Sequence, residues 1–139
     1  MLAKNLRIAV GLLARRIRRL YTNATGDDLS FTELGVLSRL ERDGPHTSVQ
    51  LAQVERITAQ AIGTVLTGLH RRGLVRRDPD PADGRRVITS ISDAGRAALG
   101  GREQVITDRL ARAVETLTPE ERERLAAALP VLTRIADRL

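Results

Sequence analysis

Arginines cluster around one short loop of the 139-residue chain, where they could bind an anionic partner. The loop reads RRDPDPADGRR over residues 76–86, with an arginine pair at each end and three aspartates and two prolines between the pairs. Guanidinium groups bind phosphates and carboxylates through paired hydrogen bonds. The pattern has two interpretations: an ordinary solvated turn, or a projecting finger that reaches into something negatively charged.

The interior of the loop is suited to presenting one arginine. Prolines 79 and 81 restrict the backbone, which lowers the entropy lost when the tip docks. Asp83 precedes Arg85 by two residues and is near enough to hold its guanidinium by hydrogen bonds. An arginine presented in this way, with Arg86 beside it, suits the narrow and electronegative minor groove of DNA.

Three short helices and a hairpin must position this loop. Ser30 with Glu33 and Thr47 with Gln50 have capping-box spacing and predict two helix starts, after a polar break over 22–28. Apolar positions then follow the helical period, and they are Leu34, Leu37 and Leu40, then Leu51, Ala52 and Val54, then Ala61, Ile62, Val65, Leu66 and Leu69. Gly73 ends the third helix, and the β-branched run 87–91 predicts a strand. The order is that of a winged helix-turn-helix lobe over about 30–96.

The last helix of a helix-turn-helix enters the major groove, with its first residues nearest the base edges. The candidate DNA-contacting residues of the turn and helix are Arg56, Thr58, Ala59, Gln60, Thr64 and Arg71. Gln60 can pair with adenine, while Thr58 or Thr64 can bond a base edge, contact a thymine methyl or hold a phosphate. Ordinary polar surface is the alternative interpretation of these side chains.

Apolar stripes at both ends of the chain predict further helices. Residues 2–21 form one amphipathic helix, and 97–139 supply the rest of a long helix and a final one that begins at Thr118-Pro119 and contains Pro130. We expect a single domain, 1–139, whose terminal helices pair with a second copy of the chain. Gly100-Gly101 predicts a soft joint in the long helix, and Pro130 predicts a kink.

Composition narrows the classes of function. The net charge of +6 and pI near 11.2 favour a polyanionic partner. The absence of cysteine excludes disulfides, thiolate metal sites and cysteine-based oxidant sensing. The basic residues of 1–20 superficially suggest a targeting peptide, but no apolar core of sufficient length or convincing cleavage site accompanies them, so we expect a cytoplasmic protein that does not enter a membrane.

An enzyme is not expected from the sequence. His46 and His70 lie in different elements, and neither has a carboxylate or hydroxyl partner at a suggestive spacing. The sequence has no glycine loop that would cradle phosphate and no metal-ligand cluster. We therefore expect no cofactor and no catalytic residues.

Several motifs together resemble the MarR family of transcriptional regulators. Asp83-Gly84-Arg85 followed by Ile91-Ser92-Asp93-Ala94-Gly95 is similar to the D-x-R…L-T-x-x-G signature of that family. Leu51-Ala52, Arg72-Gly73-Leu74-Val75 and Asp78-Pro79 are similar to the family pattern at matching spacing. The resemblance extends over essentially the whole chain.

The resemblance implies a winged-helix homodimer that binds a pseudo-palindromic operator in double-stranded DNA, usually as a repressor of nearby genes. It also implies release by a small molecule bound between the dimer helices and the lobe. Tyr21 and Phe31 are the only aromatic residues of the sequence, so we expect any effector pocket to be largely aliphatic and lined by arginine. Such a pocket suits an effector, if there is one, that is apolar or anionic. Arg85 matches the family's minor-groove arginine, and Asp83 matches the acid that orients it.

Two departures from the family pattern leave an alternative open. Thr64 stands where relatives often carry arginine, and Glu55-Arg56 stands where many have leucine and glycine, so Arg56 could supply a backbone contact instead. A protein-interaction or antirepressor module that has kept the fold and lost DNA binding is the competing hypothesis, and it is supported by Thr64 and by the glycines of the predicted recognition helix.

Overall fold

The structure, a computed structural model, describes residues 1–23 and 29–139. These residues form six helices and three short strands in the order α1 (Leu2–Asn23), α2 (Phe31–Asp43), β1 (His46–Thr47), α3 (Ser48–Glu55), α4 (Ala59–Arg71), β2 (Val75–Pro79), β3 (Val87–Ile91), α5 (Asp93–Glu115) and α6 (Pro119–Ala136). The mainly helical fold with a small β wing confirms the predicted fold class. The portion of the predicted polar break at 24–28 lies outside the described residues.

Local capping signals determine where the helices of the lobe begin. The Ser30 hydroxyl accepts a hydrogen bond from the Glu33 amide at 3.1 Å, and the Glu33 carboxylate accepts one from the Ser30 amide at 3.0 Å. Thr47 and Gln50 form the same reciprocal pair at the start of α3. Each box satisfies two amides that the first helical turn leaves without partners. Both predicted boxes are confirmed.

The wing is a hairpin that a third strand extends. β2 and β3 pair antiparallel from Val75 opposite Ile91 to Pro79 opposite Val87. β1 pairs with the other edge of β3, with His46 opposite Thr89, so the strand order is β1-β3-β2. The predicted strand 87–91 is confirmed, whereas β1 was missed because two residues carry no period-two pattern.

The chain divides into two compact units, Met1–Gln104 and Val105–Leu139. The core of the first unit is aliphatic, and its buried members are Leu29, Leu34, Val36, Leu37, Leu40, Leu51, Ile62, Leu66, Leu69, Leu74, Val75, Ile91 and Leu99. Helix α1 belongs to this unit, and its Tyr21 packs against the core. This core contains residues of α2, α3, α4, β2 and β3, so it joins the three helices of the lobe to the sheet.

Two residues predicted to be apolar core positions are exposed instead. Val54 is 42% exposed, and Ala61 is also exposed. The eight-residue helix α3 buries Leu51 alone, because so short a helix presents one turn to its neighbours. On α4 the buried stripe is Ile62, Leu66 and Leu69, and Ala61 lies one position outside it.

Helices α5 and α6 carry two special sequence features. Helix α5 continues without interruption through Gly100 and Gly101, and α6 continues through Pro130. Thr118 and Glu121 form the predicted capping box of α6, with Pro119 in the first turn. The soft joint at the glycines and the kink at the proline stay predictions.

Candidate nucleic-acid interface

The turn between α3 and α4 is built by two special backbone positions. Arg56 is the C-cap of α3 and adopts the left-handed conformation, with φ of 54°. Among the described residues, it is the one non-glycine residue with a positive φ. Thr58 is the N-cap of α4, and its hydroxyl accepts a hydrogen bond from the Ala61 amide at 3.1 Å. The Thr58 side chain therefore has a structural task, which the sequence interpretation as a base contact did not include.

An ion-pair network attaches α3 to α2 behind this turn. Arg39 Nε donates to Glu55 Oε1 at 3.0 Å, and Arg39 Nη1 donates to Asp43 Oδ2 at 3.1 Å. The hydrogen bond to Glu55, followed by the one to Asp43, raises the pKa of Arg39 above its ordinary value. Hydrogen bonds from Arg39 and then Arg42 lower the pKa of the Asp43 carboxyl. Glu55, a departure from the family pattern, thus holds the first helix of the helix-turn-helix in place.

The outward face of α4 is polar and has a shallow groove. The groove has a volume of about 530 Å³, and it is lined by Gln60, Gly63, Thr64, Thr67, Gly68 and Arg71. A Cβ added to Gly63 or Gly68 would meet no atom within 4 Å, so backbone forms much of the surface there. The structure brings Gln60, Thr64 and Arg71 together on this face. Thr67 and Gly68 belong to it as well.

The wing loop is internally braced. The Asp83 carboxylate accepts a hydrogen bond from the Arg85 amide at 3.1 Å, and the Asp83 carbonyl accepts one from the Arg86 amide at 2.9 Å. Asp80 closes the loop, since its amide donates to the Arg86 carbonyl at 2.9 Å. These bonds fix the backbone at the base of Arg85.

Asp83 also lies within ion-pair distance of both arginines that follow it. Its carboxylate is 3.5 Å from Arg85 Nε and 3.7 Å from Arg86 Nε. Arg85 is nevertheless 95% exposed, so its guanidinium projects away from the lobe while its root is held. Asp83 orients the arginine mainly through the backbone amide, a more rigid arrangement than the guanidinium bond expected from the sequence.

The root of the wing lies beside the first turn of α3. Arg85, Arg86 and Val87 share a cleft of about 360 Å³ with residues 47–50. This contact could not be foreseen from the sequence, because no local pattern links residues almost forty positions apart. The cleft places Arg85 and Arg86 beside the start of α3, whereas Arg56 lies at the other end of that helix.

Neither histidine has the surroundings of a catalytic group. His46 Nδ1 lies 2.6 Å from the Gly44 carbonyl oxygen, to which it donates, and His70 lies exposed in the last turn of α4. Within residues 1–23 and 29–139, no three His, Asp or Glu side chains form a group that could hold a metal ion. Over the same residues, each helix is too short or too polar to cross a bilayer.

Comparison with known proteins decides the family. A sequence model of the MarR family matches residues 27–86. An HTH-type transcriptional regulator of Mycobacterium tuberculosis is 33% identical over 98% of this chain and 93% of its own length. The chain belongs to the MarR family. It is a transcriptional regulator of that family, as the resemblance implied.

Two further relatives of this MarR-family regulator bear on its fold and function. The crystal structure of a putative transcriptional regulator from Pseudomonas aeruginosa superposes with a TM-score of 0.81, at 38% identity, covering 97% of this chain and 93% of that one. A second Mycobacterium tuberculosis protein, called an HTH-type transcriptional repressor, is 32% identical over 68% of this chain and 69% of its own length. The names of both relatives agree with the regulatory class expected from the sequence, and the superposition with the first agrees with the expected fold.

Proposed function

We propose that this MarR-family protein is a cytoplasmic, homodimeric repressor that binds a pseudo-palindromic operator in double-stranded DNA and is released by a small molecule. The single observation that carries DNA binding is Arg85, which is 95% exposed while Asp83 braces its backbone. An arginine loses conformational entropy when it docks, and hydrogen bonds that already hold its backbone reduce that loss. The repressor name of the mycobacterial relative supports the sign of regulation.

The charge of the lobe supports a duplex partner. Residues 56–96 contain eight arginines and four aspartates, and α4 offers a polar face with Gln60 in its first turn. We propose that α4 enters the major groove, that Arg85 probes the minor groove, and that Arg56, Arg71 and Arg86 contact phosphates. Affinity should fall steeply as the salt concentration rises, because each neutralised phosphate releases counterions.

Uncovered apolar faces at both ends of the chain support the dimer. On α1, Leu12 and Leu13 are about half exposed, at 50% and 53%. On α6, all of whose residues are described, no side chain is buried, and Leu129 is 55% exposed. Apolar surface left in water forfeits about 25 cal/mol per Å². We propose that a second copy of the chain covers these faces.

A cavity inside the first unit supports the effector. It has a volume of about 570 Å³ and is lined by Ala14, Arg15, Ile17, Arg18, Tyr21, Phe31, Leu34, Gly35, Ser38, Leu99 and Glu103. Arg18 lies over the Phe31 ring, with 4.6 Å from Cζ to the centroid, and Tyr21 meets that ring edge-on at 5.9 Å. Aromatic and aliphatic walls with two arginines at the rim suit a flat apolar molecule that carries a negative charge.

Titration of the protein with DNA from its own upstream region tests the proposal. Arg85→Ala should weaken binding by about tenfold or more, because it removes the minor-groove contact. Arg19→Ala is the matched control, since Arg19 lies exposed on α1 outside the lobe surface that is proposed to meet DNA. Unchanged affinity in Arg85→Ala would refute the assignment of the wing. Failure of the wild-type protein to bind any duplex would favour the protein-interaction or antirepressor module.

Two solution measurements test the dimer and the effector. Sedimentation should report a dimer, and Leu13→Glu or Leu129→Glu should shift it to monomer, while Val49→Glu, an exposed change on the lobe, should leave the mass unchanged. Tyr21 is the single tyrosine in a chain without tryptophan, so its fluorescence reports on the cavity. Aromatic carboxylates should change that emission, and Arg18→Ala should weaken the response.

A further inference from the structure

The outward face of α4 has a chemistry narrower than that of a general polar surface. Gln60, Thr64, Thr67 and Arg71 follow one another at intervals of three or four, so they share one side of the helix. All four are exposed, and Gly63 and Gly68 lie between them in the groove. If this face meets DNA, its side chains determine which bases it can read.

Thr64 presents a methyl group more readily than a hydrogen-bond donor. Its hydroxyl donates to the Gln60 carbonyl oxygen, one helical turn back, at 3.2 Å. The proton of that hydroxyl is thereby used inside the helix, which leaves the γ-methyl and an acceptor lone pair for an outside partner. Thr67 adds a second exposed methyl one turn further along.

Guanine readout would need a different residue on this helix. The commonest specific contact to guanine is a paired hydrogen bond from arginine or lysine to O6 and N7. The sequence has neither residue type between 59 and 70. Arg71 is the last of the 13 residues of α4, about 18 Å from its start at 1.5 Å per residue, where phosphate is the nearer partner.

We propose that α4 selects A·T base pairs, with Gln60 bonded to an adenine and the methyl groups of Thr64 and Thr67 against thymine methyl groups. Adenine offers N7 and N6 to an amide side chain in the major groove, and thymine offers its C5-methyl there. Gly63 and Gly68 let the helix backbone approach the bases closely. The proposal rests on the proposed function, since it names the sequence class that the same surface reads.

Selection from a random-sequence duplex library, followed by base-analogue substitution, tests this proposal. The enriched half-site should have an A·T-rich core. Replacing single thymines in that core by deoxyuracil removes only the methyl, and at the contacted positions affinity should fall about fourfold, as for one buried carbon group. Thr64→Val keeps a methyl and should preserve the difference. Thr64→Ser should bind the thymine and uracil duplexes equally well at the one position that Thr64 contacts, while the difference at the Thr67 position remains.

Gly63→Ala tests the close approach independently. The added Cβ meets no protein atom within 4 Å, and alanine favours a helix, so the melting temperature should not fall. Operator affinity should nevertheless fall about tenfold, because the methyl occupies space that the bases need. Gly100→Ala, which also adds an uncrowded Cβ to a helix, is the matched control and should leave affinity unchanged.

The possible results distinguish failure of the A·T reading from failure of the proposed DNA binding. Enriched sites with G·C pairs at the α4 positions, and equal binding of thymine and uracil duplexes by the wild-type protein, would overturn the A·T reading and leave DNA binding intact. Full affinity in Gly63→Ala would overturn the close approach. No enrichment of any duplex would overturn both the proposed function and this inference.

Discussion

Gly95→Ala should be among the most damaging single-methyl additions to the lobe. A Cβ at Gly95 would lie 2.1 Å from the Leu74 carbonyl oxygen and 2.8 Å from Ile91 Cγ1. Ordinary contacts begin near 3.4 Å, so the start of α5 must move away from Leu74, in the connection between α4 and β2, by about 1 Å. The nearest atom belongs to backbone, which cannot rotate aside as a flexible side chain could.

The displacement would break the hydrogen bonds that join Ser92, just before α5, to the connection between α4 and β2. The Ser92 amide donates to the Leu74 carbonyl at 3.1 Å, and the Ser92 hydroxyl donates to the Gly73 carbonyl at 2.5 Å. Overpacking in a rigid site costs about 1–3 kcal/mol, and each lost hydrogen bond adds about 1 kcal/mol. Alanine returns about 1 kcal/mol through helix propensity. The net loss is about 3 kcal/mol, or roughly 10 °C in melting temperature for a chain of this size.

Thermal unfolding followed by far-ultraviolet circular dichroism, at one protein concentration, measures the effect. Gly100→Ala is the control in the same helix, because its Cβ meets nothing within 4 Å, and it should be neutral or stabilising. A Gly95→Ala protein that melts with the wild type would refute the close packing of Gly95 against Leu74 and Ile91 described above. Equal destabilisation by both variants would show that helix α5 tolerates no added methyl for some other reason.

Three further predictions follow from single residues. Arg56→Gly should stabilise the protein by about 1 kcal/mol in urea unfolding, because glycine adopts the left-handed conformation at φ of 54° without strain; a lower midpoint would contradict the turn geometry. Thr89→Val should also stabilise by about 1 kcal/mol, since the Thr89 hydroxyl is fully buried and has no hydrogen-bond partner among the described residues; Thr89→Ser, which keeps the hydroxyl and deletes the methyl, should destabilise. Burial, and then the charge of Glu103, raise the pKa of Tyr21 above its ordinary value of 10.0. Phenolate absorbance should therefore appear at a higher pH than in a free tyrosine, and Glu103→Gln should move the midpoint part of the way back. The neutral phenol stabilises the fold below the ordinary pKa, and that contribution disappears as the pH rises through the raised one.

Local signals in the sequence determined most of the secondary structure. Ser30, Thr47 and Thr118 each cap a helix with the partner three residues on, and the β-branched run 87–91 forms the predicted strand. Such signals depend on neighbours within one helical turn, so they are legible without a fold. The family motifs around Asp83 and Gly95 were likewise contiguous. The family and the fold class could therefore be predicted from the sequence, whereas the DNA-contacting roles of the candidate residues stay predictions.

Contacts between distant residues were decided by the tertiary structure alone. The two-residue strand β1 exists because β3 offers it an edge, and Glu55 is half-buried because Arg39, 16 positions earlier, reaches it from α2. The exposure of Val54 and the contact of Gly95 with Leu74 depend in the same way on which faces of the helices meet. A sequence pattern states what each segment prefers by itself. Which segments meet, and at what distance, depends on how the whole aliphatic core is filled.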